Sequence, residues 1–88
     1  MPIIESGNAT VGTAATKLVG PHTNPVHVIF RNDDNTKDVR IGDSDVTAIH
    51  SLVLAKLDKI DFVLYPGNSL YAITSTGTAE VSYLWQLL

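Results

Sequence analysis

Apolar and polar positions along this chain alternate in short runs, and the runs recur about every 8–12 residues, the interval of sandwiches and barrels. "ATVGTAATKLV" supplies two extended pieces broken at Gly12. "GPHTNP" follows as a loop, because its prolines cannot donate to a ladder. "VHVIFR" is rich in β-branched residues and predicts a central strand. The side chains of "NDDNTKD" can bond nearby backbone in Asx-turns, and "VRI" then returns, so residues 26–41 read as a hairpin with a long tip.

Further on, "IDFVLY" puts Ile60, Phe62 and Leu64 on one face of a strand. In "YPGN", Pro66 and Gly67 occupy the central positions of a type II turn, proline setting the first dihedral and glycine supplying the positive one. "LYAIT" comes next, then "STGT" as a type I turn with Gly77 in a bulge, then the closing strand "AEVSYLWQLL". The pattern predicts an all-β fold, a small antiparallel sandwich or barrel of about seven to eight short strands. It spans residues 9–88, preceded by an N-terminal arm, residues 1–8, with apolar Pro2, Ile3 and Ile4. One segment resists. Val46, Ile49, Val53, Leu57 and Ile60 fall near one helical face, so a short helix around 46–58 competes with strands.

Composition narrows the picture. With 88 residues, 44% of them hydrophobic and 17% charged, the chain is one globular domain. A domain of this size buries only roughly 60–65% of its unfolded surface. Association is therefore an expected source of stability. Net charge is −3 and the six Lys and Arg residues are scattered, so no basic stripe offers itself to nucleic acid. No run is long and apolar enough for a membrane span, and "MPIIESGNAT" lacks the basic region of a signal peptide. There is no Cys, which excludes disulfides, thiolate metal sites and Cys nucleophiles.

Candidate chemistry is thin. Asn32, Asp33, Asp34, Asn35 and Asp38 form an acidic loop that could offer oxygens to calcium, but the glycine and closing Glu of an EF-hand are missing. It reads as a solvated tip. His22, His27 and His50 are too dispersed for zinc. "GNATVGTAATK" lacks the Gly-Lys-Ser/Thr ending of a phosphate loop, and no Gly-x-Ser-x-Gly elbow occurs. We assign no catalytic residue, no metal and no cofactor, and expect a non-enzyme. "VRIGDSDVTA" reads as a strand entering a turn. There Gly42 eases the backbone, Asp43 and Asp45 bond local amides, and Val46 re-enters the core.

The C-terminus says more. Val81, Tyr83, Trp85 and Leu87 share one face and point inward, while Leu84, Gln86 and Leu88 follow Glu80 and Ser82 on the other. The end of the strand is thus apolar on both sides. Either it covers its own barrel mouth or another chain covers it. Leu84, Gln86 and Leu88, with Pro2, Ile3 and Ile4 of the arm, are the candidate interface residues.

"ATVGTAATKLV", "VRIGDSDVTA" and "PGNSLYAITSTGTAEVSYLW", in that order, resemble a family of small virion structural proteins of tailed bacteriophages. The likeness runs from about residue 9 to 85 and lies in the order of common pieces rather than in any one of them. It implies a β-sandwich or barrel, with "LVL" at 52–54 as a strand before "IDFVL". The chain departs from the family at Lys56, Leu57 and Asp58, where a Pro-Gly turn is usual, and at Ser51, where a Gly is. The resemblance further implies a capsid decoration protein, made in the host cytoplasm and bound to the outer capsid surface of the virion. Its partners would be the major capsid protein and its own copies, as a trimer. A tail, baseplate or head-fibre module is the other expectation.

Overall fold

Among the described residues, eight strands form two sheets in which every pairing is antiparallel. The computed structural model describes residues 4–46 and 51–88. In chain order the strands are β1 Ile4–Val11, β2 Thr16–Val19, β3 Val26–Asn32, β4 Val39–Gly42, β5 Leu52–Leu54, β6 Lys59–Leu64, β7 Leu70–Ile73 and β8 Ala79–Leu87. The first sheet runs β1-β8-β3-β6 and the second β2-β7-β4-β5. Eight strands passing back and forth between two four-stranded sheets in this order form a jelly roll. The all-β sandwich expected from the alternation is what the chain adopts.

Alternation also sets which side chains enter the core. In β3, Val26, Val28, Phe30 and Asn32 are buried, whereas His27, Ile29 and Arg31 face outward. Val81 and Trp85 of β8 join the core, with Tyr83 and Leu87 packed partly buried against it. Ile60, Phe62 and Leu64 line the inner side of β6, while Lys59, Asp61 and Val63 are exposed. Val39, Ile41, Leu70 and Ala72 close the core from the second sheet. Full burial of a Val, Leu or Phe side chain contributes roughly 1.5–3 kcal/mol.

Several expectations are corrected. Residues 26–41 are not a hairpin: β3 pairs with β6 and β8, β4 with β5 and β7. The connection 33–38 instead carries the chain from one sheet to the other. The same holds at the end, where β7 and β8 lie in opposite sheets and residues 74–78 bridge them. Period-2 alternation fixes which face of a strand is apolar, not which sheet the strand joins. The 46–58 helix does not form in its described part, residues 46 and 51–58: Leu52–Leu54 is β5, on β4, and Leu57 takes a positive φ of 62° in the following turn. β-Branched Val53 and the edge of β4 win there over helical spacing. Residues 47–50 lie outside the described residues.

The expected arm is corrected in its described part. Residues 4–8 are not separate from the sandwich; they are the first five residues of β1, paired from Ile4↔Gln86 to Asn8↔Ser82. Gly7 sits where Tyr83 crosses the strand, and a Cβ there would come within 2.6 Å of the ring carbon bearing the hydroxyl. The smallest residue lets that ring lie flat across β1. The turn at Tyr65–Asn68 is as read: Asn68 N donates to Tyr65 O at 3.2 Å, with Gly67 at φ 83°. Gly77 takes φ 62°, but in a connection between sheets and not in a hairpin bulge, since β7 and β8 do not pair. Gly42 is the last residue of β4, paired with Tyr71, and needs no positive φ. After it Asp43 Oδ1 accepts from Asp45 N at 2.9 Å and Val46 returns to the core.

Candidate assembly surface

The outer face of the β1-β8-β3-β6 sheet is where candidate residues meet. Register places Ile4, Gln86, His27 and Val63 in one row across the four strands. The next row is Ser6, Leu84, Ile29 and Asp61, and the next Asn8, Ser82, Arg31 and Lys59. Of the candidates from sequence, Ile4, Leu84 and Gln86 therefore share this face, with Ile4 directly opposite Gln86. Leu88 follows β8, is 70% exposed, and donates its backbone N–H to Pro25 O at 3.2 Å. Pro2 and Ile3 lie outside the described residues.

Sequence reasoning missed the other half of the patch. Ile29 is 40% and Val63 41% exposed, beside half-buried Leu84. Both are apolar residues at outward positions of otherwise alternating strands, which is the signal that would have found them. Between Ile29 and Val63, His27 Nε2 and Asp61 Oδ2 meet at 2.9 Å. A groove of about 410 Å³ runs across the sheet, from Ser6 and Asn8 past Leu84 and Ile29 to Arg31 and Lys59. Leu52, Val53 and Leu57, on β5 and the turn after it, are also exposed.

The second concavity lies between the sheets, a cleft of about 610 Å³. Ile60, Phe62, Leu64, Ile41, Leu52 and Leu70 give it apolar walls, and Asp43, Ser44, Asn68 and Ser69 also line it. It opens beside β6 and β5, one edge strand of each sheet.

The acidic loop is engaged with itself. Asn32 is fully buried, and its Nδ2 lies 2.9 Å from Lys37 O, 3.3 Å from Leu54 O and 3.2 Å from Ala55 O. Its Oδ1 accepts from Asp34 N at 3.0 Å. Asp34 Oδ1 accepts from Thr36 N, Thr36 Oγ1 and Lys37 N, at 2.8, 2.8 and 2.9 Å. The Thr36 amide foremost, then its hydroxyl, hold the Asp34 carboxyl below its ordinary range. Asp33 reaches Arg31 at 3.4 Å and Asp38 reaches Arg40 at 3.2 Å. Among the described residues, no group of three acidic, His or Cys side chains is placed to hold a metal ion. His22 stacks obliquely on Trp85, ring centroids 4.3 Å apart, away from the His27–Asp61 contact. His50 lies outside the described residues.

Fold and surface together define a small jelly-roll sandwich with a half-apolar outer sheet face. No family model and no curated protein matches the chain. Among solved structures it is similar to a chain from the work described as "Bacillus endospore appendages form a novel family of disulfide-linked pili". The TM-score is 0.62 at 14% identity, over 97% of this chain and 85% of that one. At that identity, the likeness is one of fold.

Proposed function

We propose that this protein is a non-catalytic structural subunit that decorates the outer surface of a bacteriophage capsid. It would bind the major capsid protein as a trimer and stabilise the shell by interface burial repeated over many copies. The observation that carries this reading is the outer sheet face. Ile4, Ile29, Val63 and Leu84 expose apolar surface on one side of a domain that buries little of its own. The order of its β and turn segments, which resembles small phage virion proteins, supplies the setting.

The likeness to a chain of Bacillus appendage pili favours a second reading, a fibre or tail module built from the same sandwich. In either case the joints differ in kind from disulfide links, since this chain has no Cys. Its copies would be held by buried area and charge alone.

Imaging of the intact particle tests the proposal. Density for this chain on the head, in many copies following the capsid lattice, is expected. Copies confined to a tail or fibre would favour the second reading, and absence from any particle would overturn both.

A further inference from the structure

We infer that the groove on the outer sheet face receives the acidic turn Asp43–Asp45 of a second copy, so that copies join head to tail. The inference rests on the reading that the chain self-associates, and it names the two patches that meet. A threefold ring requires two such patches, because each copy presents different surfaces to its two neighbours.

The groove end of the contact is basic and apolar. Arg31 and Lys59 stand directly opposite each other on β3 and β6, an arrangement of like charges that destabilises a sheet. Of the nearby acids, Asp33 reaches Arg31 at 3.4 Å and Asp61 is held by His27. Lys59 makes no ion pair among the described residues. An incoming carboxylate would relieve the repulsion, while Ile29 and Leu84 alongside offer apolar contact.

The other end of the molecule carries the complement. β3 ends beside Arg31 and the connection 33–38 leads straight into β4, so β4 runs back and delivers Asp43–Asp45 to the opposite end of the strands. Asp43, Ser44 and Asp45 are all exposed. Leu52, 53% exposed, lines the same cleft rim as Asp43 and Ser44. One patch is therefore basic beside Ile29 and Leu84, and the other is acidic beside Leu52. Being at opposite ends, the two cannot meet within one copy.

Charge reversal tests the contact. Lys59→Glu converts the repulsive cross-strand pair into an attractive one within the monomer. Asp45→Lys spares the Asp43 carboxylate that closes the turn. Neither variant should lose its fold, and circular dichroism checks this. By sedimentation, the wild-type chain should self-associate, and more weakly as salt rises from about 0.01 to about 1 M, over which the Debye length falls from about 30 to about 3 Å. Each variant alone should associate roughly tenfold or more weakly, the scale of one desolvated charge pair. Mixing the two should restore association in part, since two of the three contacts in a mixed ring pair opposite charges, and a double variant carrying both reversals should restore all three. A wild-type chain that stays monomeric, or variants that associate as it does, would overturn the inference. Binding to phage heads is read separately: a monomer that still coats heads leaves the proposed function standing. Loss of that binding in Lys59→Glu would then assign the groove to the shell instead.

Discussion

Asn32 shows how one side chain can change meaning between sequence and structure. In "RNDDNTKD" it counts as a polar loop residue or a cation ligand, yet it is fully buried at the end of β3. Its amide has two hydrogens to share among three carbonyls, from the 33–38 connection and from residues 54 and 55. Nothing in the local pattern announces this, because the carbonyls come from segments far apart in the chain. Removing the amide strands buried acceptors, at about 1–3 kcal/mol each. With two acceptors stranded, Asn32→Ala should therefore lower unfolding stability by about 2–6 kcal/mol, read by urea titration. A change near zero would mean that water replaces the amide. Asp34 sets the acid limit of the same loop. Its carboxyl is held below its unfolded value of 3.8, so its stabilising share is complete above that value and is lost as pH falls through the folded one. Stability should fall with acid below about pH 4, and part of that fall should vanish in Asp34→Asn, as denaturation at stepped pH would show.

At the scale of elements, alternation made the strands legible and left their partners hidden. β3, β6 and β8 read correctly as strands from the sequence, and so did the inner faces of β6 and β8. The β3–β4 and β7–β8 connections read as hairpins because short polar links usually are; here they cross between sheets, a choice that depends on packing. β5 shows the opposite failure. Val46, Ile49, Val53 and Leu57 carry helical spacing, but the free edge of β4 offers Leu52–Leu54 a ladder. β1 shifts a boundary with experimental consequences. Since Ile4 to Gly7 already pair with β8, deleting residues 1–7 strips half of the described strand and uncovers β8. Such a truncation should melt well below the full chain. Equal melting of the truncated and full chains would show that the first half of β1 adds nothing to the sheet.

For the whole molecule, the candidate surface was half legible. Leu84, Gln86 and Ile4 were readable as apolar or ambiguous positions near the chain ends, and the sheet brings them together. Ile29, Val63 and the Arg31–Lys59 pair joined them only once β3 was seen between β8 and β6. A face assembled from four strands has no contiguous signature. The account's central claim is that this face is covered by a neighbouring subunit when the protein works. The direct measurement is occupancy on phage heads of the double variant Ile29→Thr, Leu84→Thr against the wild type. Threonine is β-branched and suits a strand, and it removes apolar contact. If each lost contact weakens binding by about 1–2 kcal/mol, the double variant should bind roughly 30- to 1,000-fold more weakly while melting nearly as the wild type does. Undiminished occupancy would contradict the account.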